Sequence, residues 1–267
     1  MATIKLFDIE IDTRPPSELI QDIVNHVGRN DPPLRIVQVN PEMIVSIYQR
    51  DSKRHLFDSA DIIVANGVGV QWAATFARSN RSFSFFMKSL IWTAFRPSQI
   101  SKILPARYTS SSFTAPLLKQ LSTRSSHVLI AGSPKGSDIE STAVHLRDIA
   151  PGLQVTSFDT KNFVGSKKLD ELLSVIERQK PAIVLLAIGY PVQEEAAQQI
   201  HAVMKNGVVI TEGGTFDYQQ FGGNIRRAPG FIQRIGFEWL WRLLREPWRI
   251  RRQSALLKFI WLTYRNS

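Results

Sequence analysis

The sequence predicts an α/β fold: a doubly wound parallel sheet with helices on both faces, carrying a basic helical appendage at its C-terminus. Two observations predict the sheet. Short apolar runs alternate with stretches of helical period, as in parallel strands joined by crossover helices. Several of these runs break at glycine just before the next helical stretch, as βα turns do. A third observation predicts the appendage. The composition shifts near Gly222, and from Asn224 onward Glu238 and Glu246 are the only acids among many Arg and Trp.

The elements follow in order. Residues 34–39 (LRIVQV) read as a buried strand, with a helix from Pro41. Residues 61–65 (DIIVA) read as a second strand, closed by Asn66-Gly67 and followed by helical GVQWAATFA. Residues 127–131 (HVLIA) repeat the pattern and break at GSPKGS before a helix over 139–149. A strand over 153–157 and a helix over about 168–179 come next. Residues 182–188 (AIVLLAI) give the strongest strand signal, breaking at GYP before helical EEAAQQIHAVM, and residues 208–211 close the series. Residues 83–114 are irregular, broken by Arg96-Pro97 and Pro105, and read as a flap or as a second membrane-facing patch. The division expected is an α/β core over 1–223, folding by itself, and an appendage over 224–267.

The bulk composition narrows the function. The 267 residues suffice for one substantial core, and 43% hydrophobic residues are too few for a multi-span membrane protein. A net charge of +10 calls for a polyanionic partner: nucleic acid, anionic lipid or a phosphorylated substrate. The absence of cysteine excludes disulfides, thiolate zinc sites and a cysteine nucleophile. The N-terminus lacks the basic start and apolar middle of a signal peptide. No apolar run reaches the roughly 18–20 residues that span a bilayer. A soluble or peripheral cytoplasmic protein is expected.

Ligands of open α/β sheets bind beyond the carboxyl ends of the strands. Three junctions there carry glycine: Asn66-Gly67-Val68-Gly69, Gly132-Ser133-Pro134-Lys135-Gly136 and Gly189-Tyr190-Pro191. Each reads as a tight turn or as a place where backbone N–H groups and a helix N-terminus meet a phosphate. The second lacks the Gly-Lys-Ser/Thr ending of a P-loop. Gln193 and Glu194 fall in the first turn after the strongest strand, where they can grip a sugar or nucleobase; the alternative is that Glu194 and Glu195 simply suit the helix dipole, which fits the uncharged Gln193 less well. In TEGGTFDYQQFGG, two Gly-Gly pairs flank Phe216-Asp217. Asp217 reads as a ribose ligand, an acid/base group or a turn residue.

Four of the six tryptophans lie in the C-terminal stretch with Arg226, Arg227, Arg234, Arg242, Arg249, Arg251 and Arg252. Trp and Arg together suit a membrane interface with anionic lipid. Packing on the core accounts for part of the apolar content. Nucleic acid is not expected as a partner, because elsewhere acids are mixed among the bases.

The order of motifs resembles the WecG/TagA/CpsF glycosyltransferases, a bacterial inverting family. VNPEMIV, SADIIVANGVGVQWAA, IGYPVQEE, EGGTFDYQQFGGNIRRAP and GFEWLWRLLREPWRIRRQ carry the resemblance, over about residues 34–260. It implies a Rossmann-like fold. It also implies transfer from a UDP-sugar to a polyprenyl-diphosphate-linked sugar at the inner face of the cell membrane, in cell-wall polymer, capsule or exopolysaccharide synthesis. No cofactor or metal is implied, and a homo-oligomer is compatible with it. Asn40, Arg107, Gln193 and Asp217 match family positions. The family's candidate base is an Asp where this chain has Asn66, which cannot accept a proton at neutral pH; the base here is then expected to be Asp217, Glu212 or another carboxylate, or the proton leaves after the diphosphate. Gln38 stands where a Thr is typical. Ser110-Ser111-Ser112 replaces a Gly-x-Asp pattern.

Taken together, Asn66, Asn40 and Asp217 are the candidate catalytic residues. Gln38, Gly67, Gly69, Arg107, Gly132, Ser133, Gly189, Tyr190, Gln193 and Glu194 are expected to hold the donor. The seven arginines are expected to meet the acceptor diphosphate or the anionic membrane. A member that binds these ligands without transferring sugar is the rival reading.

Overall fold

The computed structural model describes residues 3–29, 31–49, 53–79, 82–105, 107–163, 166–234, 237–247 and 250–266. The chain opens with a hairpin, β1 (Thr3–Leu6) and β2 (Ile9–Asp12). Phe7 and Asp8, both at positive φ, turn it, and Ile4, Leu6, Ile9 and Ile11 point inward. There follow α1 (Pro16–Val27), β3 (Leu34–Val39), α2 (Pro41–Gln49), α3 (His55–Asp58), β4 (Ile62–Ala65) and α4 (Val68–Ala77). The stretch read as irregular contains α5 (Phe83–Phe95), capped by the Ser82 hydroxyl, then α6 (Pro97–Ile100) and a wide helical turn, Ser110–Thr114. The second half runs α7 (Ala115–Ser122), β5 (His127–Gly132), α8 (Ile139–Ile149), β6 (Gln154–Asp159), α9 (Ser166–Gln179), β7 (Ile183–Ala187), α10 (Val192–Val203) and β8 (Val208–Thr211). The chain ends with α11 (Gly230–Arg234), α12 (Glu238–Arg245) and α13 (Ile250–Asn266).

The eight strands form one sheet in the order β1-β2-β4-β3-β8-β7-β5-β6, parallel except for the hairpin. The predicted α/β class is the observed one. The central strands are buried on both faces, which is why they read as unbroken apolar runs. Alternate residues feed opposite faces. Ile36, Val64, Ile130, Leu185 and Ile210 pack with α1, α7 and α8. Val37, Val39, Ile63 and Ala65 pack with α2, α4 and α13, and Leu129, Val184 and Val209 with α9 and α10.

The end of the chain is part of this core. Phe259 and Leu262 of α13 are buried among Val37, Trp72 and Phe76, and the Phe259 ring lies 5.8 Å from Phe7 and 6.4 Å from Trp72. The core therefore does not end at residue 223, and a chain cut there loses side chains from its interior. Phe259→Ala is expected to cost about 3–5 kcal/mol by lost burial and a residual cavity. Urea unfolding checks this; a change within about 0.5 kcal/mol, the usual range of a surface substitution, would mean α13 packs loosely.

Candidate active site

A cleft of about 380 Å³ opens at the carboxyl ends of β3, β4, β5, β7 and β8. That is the crevice where open α/β sheets bind ligands, and the volume falls in the usual range for small-molecule sites. Gln38, Asn40 and Asn66 line one wall, and Ser133, Gly189, Tyr190 and Gln193 line another. The loop after β8, Glu212 to Tyr218, forms the floor, and Glu238 and Arg242 of α12 complete the rim.

The candidate residues converge, but much of their hydrogen-bonding capacity is spent within the protein. Asn66, half-buried, donates from Nδ2 to Gln38 Oε1 at 3.2 Å. Asn40 Oδ1 accepts the Met43 N–H at 3.0 Å and so caps α2. Gln193 is buried, and its Oε1 accepts the N–H groups of Gly189 (3.2 Å) and Gly213 (3.1 Å), tying the β7 and β8 loops together. Asp217 Oδ1 accepts the Lys135 N–H at 3.1 Å. The N–H groups of Lys135 and Gly189, one in each of two glycine junctions, and that of Gly213 are thus engaged within the protein and hold these loops in shape. Tyr190, whose peptide bond to Pro191 is cis, donates its hydroxyl to Ser46 at 2.8 Å.

Other expected donor residues lie elsewhere. Glu194 is fully buried and does not line the cleft. It accepts from Gln193 at 2.7 Å, and burial pushes its carboxyl up to about 7. Neighbouring residues in a helical turn point about 100° apart, so Gln193 and Glu194 cannot both face the ligand. Gly67 starts α4 at φ 98°, where side chains are strained. A Cβ at Gly69 would meet Pro41 at 2.8 Å, and one at Gly132 would meet the Ala187 carbonyl at 3.2 Å, so both glycines serve packing. Arg107 lines a neighbouring groove instead, donates to the Gln233 carbonyl at 3.2 Å and has its pKa lowered by burial.

Arg242, expected at the acceptor diphosphate or the membrane, is engaged within the protein. It lies inside the rim, donating to Asp217 at 2.7 Å and to Glu246 at 2.8 Å, with its guanidinium 5.1 Å from the Tyr218 ring centre. Lys135 Nζ meets the other Glu246 oxygen at 3.0 Å. Arg227 faces both cleft and groove and donates to both oxygens of Glu238, at 2.8 and 3.4 Å. Arg226 is exposed. Arg249 lies outside the described residues, as do the side chains of Arg234, Arg251 and Arg252. Among the described residues no group of three or more His, Cys, Asp or Glu is placed to hold a metal ion.

Sequence reading undervalued Glu212. It is buried at the cleft floor, and Oε2 accepts hydroxyls from Thr114 (2.8 Å) and Thr215 (2.9 Å). Burial pushes its carboxyl up to about 7, against the opposing pull of those hydroxyls and of Gln38. Gln38 lies close enough to favour the ion, although Glu212 Oε1 and Gln38 Nε2 make no well-formed hydrogen bond. A carboxylate in a cleft with proton affinity near neutrality is suited to proton transfer. Lys135, Tyr218, Glu238 and Glu246 were also missed as site residues; the available signal was that Glu238 and Glu246 are the only acids in a basic segment.

The model of the "Glycosyl transferase WecG/TagA/CpsF family" matches residues 4–92 and 88–267, two stretches that overlap within α5. The chain is similar to the N-acetylglucosaminyldiphosphoundecaprenol N-acetyl-beta-D-mannosaminyltransferase of Bacillus spizizenii, 27% identical over 225 residues, 84% of this chain and 76% of that one. It is 24% identical over 224 residues, with the same shares, to the protein of that name from Bacillus subtilis.

Proposed function

Because the chain belongs to the WecG/TagA/CpsF glycosyltransferase family, we propose that it transfers a hexosyl or N-acetylhexosaminyl group from a UDP-sugar to a polyprenyl-diphosphate-linked sugar at the inner membrane surface. The observation that carries this reading is the shared cleft, where Gln38, Asn40 and Asn66 face the loop bearing Glu212 and Asp217 beneath α12. The two similar Bacillus proteins are named for a lipid-diphosphate-linked acceptor of this class.

The donor lies across the strand ends, and the acceptor hydroxyl attacks its anomeric carbon in line, with inversion, as the bond from that carbon to the diphosphate oxygen breaks and UDP leaves. Asp217 is engaged by Arg242 and Lys135, so it shapes the site. Glu212 accepts the proton of the attacking hydroxyl, and the Asn66 and Gln38 amides orient that hydroxyl. Arg227 exchanges Glu238 for the acceptor diphosphate, whose oxygens suit a guanidinium fork.

The test is incubation of the full chain with a panel of UDP-sugars and a short-chain polyprenyl-diphosphate sugar, read by product mass. Binding without product would favour a non-transferring member, the reading that Asn66 supports. In the same assay Asn66→Asp, which adds a carboxylate to the wall of the cleft, is expected to retain or raise turnover. A loss beyond about tenfold, or 1.4 kcal/mol, would show a site rebuilt around the amide.

A further inference from the structure

We propose that the exposed apolar face of α5, continuous with that of α13, is seated in an anionic lipid surface. The lipid occupant rests on the reading of the acceptor as membrane-borne. Phe83, Met87, Ile91 and Phe95 recur every four residues on α5 and are 64%, 45%, 55% and 81% exposed. The helix is not displaced from its fold, because Phe86 is buried and the Trp72 indole donates to Ser89 at 2.9 Å. Its apolar face is left over after packing.

Tyr264 of α13 extends that face. Its ring lies 6.2 Å from Phe83 and 4.9 Å from Phe86, and Leu257 and Trp261 on the same helix are 72% and 55% exposed. A contiguous apolar face of this kind marks an interaction site.

The charges select lipid over an ordinary protein partner. No Asp or Glu occurs between Asp61 and Asp138, or after Glu246, so neither helix carries an acid. Lys88 and Arg96 flank the α5 stripe and are exposed, as are Lys258 and Arg265 on α13. Lys88 lies 5.2 Å over Trp92 and Arg265 5.1 Å over Trp261. Aromatic rings with cations beside them match the headgroup layer, where rings bury at the acyl boundary and cations meet anionic lipid. Among the described residues no helix is long and apolar enough to cross a bilayer, so the contact is interfacial.

The position fits as well. The groove containing Arg107 begins at Pro97 and Ile100, beyond the end of α5, and shares Thr109, Arg227 and Glu238 with the cleft. A membrane at α5 would deliver a lipid-linked diphosphate along that groove.

The experiment is co-sedimentation of the full chain with phosphatidylglycerol-containing vesicles and with pure phosphatidylcholine vesicles. Wild type is expected to pellet with the anionic vesicles. Ile91→Glu/Phe95→Glu is expected to lower partitioning by about tenfold or more, since two apolar anchors become like charges to the lipid. Val144→Glu/Ile149→Glu, at exposed apolar positions of α8, is the control and should pellet like wild type. Equal pelleting of the α5 variant would overturn the proposal, as would failure of the wild type to bind. So would an α5 variant that turns a dimer into a monomer without altering vesicle binding, because a second copy would then cover the face. Transfer to a water-soluble short-chain acceptor separates the two readings. Wild type that binds vesicles through α5 without transferring sugar upholds this surface and overturns the activity.

Discussion

Replacing Glu212 with Gln is expected to lower sugar transfer by about 10²–10⁴-fold, the usual worth of a positioned base, while making the protein more stable above neutral pH. The two effects have one cause. Burial holds the Glu212 carboxyl at about 7, against an ordinary value of 4.5. Below pH 4.5 both folded and unfolded chains keep the proton, and the residue costs nothing. Between 4.5 and 7 the unfolded chain releases its proton while the folded chain retains it, so stability falls as pH rises. Above pH 7 the full penalty remains, on the order of 3 kcal/mol at most for a shift of this size. A neutral Gln avoids that penalty at pH 8 and gains nothing at pH 4. Glu194, raised to about 7 by burial, adds a decline in the same window. Urea unfolding at both pH values, beside transfer assays, separates a lost base from a damaged fold. In wild type, kcat/KM should rise with pH with a midpoint near 7 as Glu212 ionises. A Glu212→Gln variant that is active with the same pH profile would remove Glu212 from the chemistry.

The sheet was legible because its strands are buried on both faces, which forces continuous apolar runs. The hairpin β1–β2 was not read, although Ile4, Leu6, Ile9 and Ile11 alternate as a half-buried ribbon should. Its turn residues, Phe7 and Asp8, include neither the glycine nor the asparagine that usually signals such a turn. α5 was hidden for a different reason. It carries apolar side chains on nearly all sides, so no polar face marks its period. The C-terminal helix was legible as basic and aromatic, but its composition does not tell which apolar residues face the core. Phe259 enters the core while Trp261, two residues on, stays exposed. The position of the cleft followed from strand ends and glycines. The roles within it did not, because Arg242 with Asp217 and Lys135 with Glu246 join residues 25 and 111 positions apart. No local spacing announces such pairs.

Those pairs underlie the second large effect, expected for Arg242→Ala. Arg242 links α12 to the cleft floor through Asp217 and to Glu246 at the end of its own helix, and all three side chains are largely buried. Removing the cation takes away the guanidinium that two buried carboxylates share, while Lys135 Nζ stays on Glu246. Breaking a buried pair in this way costs about 3–5 kcal/mol. The cost falls on α12 and not on the whole molecule. Among the described residues, none between Pro229 and Pro247 belongs to the three hydrophobic clusters, whereas Phe259 and Leu262 anchor the chain beyond them. The cheapest response is therefore local release of α12, which opens the rim without unfolding the sheet. Hydrogen exchange should show the amides of α12 losing protection while those of β5, β7 and β8 keep theirs. Transfer should fall by about a hundredfold or more, since 3 kcal/mol of lost organisation corresponds to that factor. Arg242→Lys keeps a cation without the fork and should recover part of both properties. Unchanged exchange in α12, or collapse of protection throughout the sheet, would show that the Arg242 contacts do not hold a separable rim.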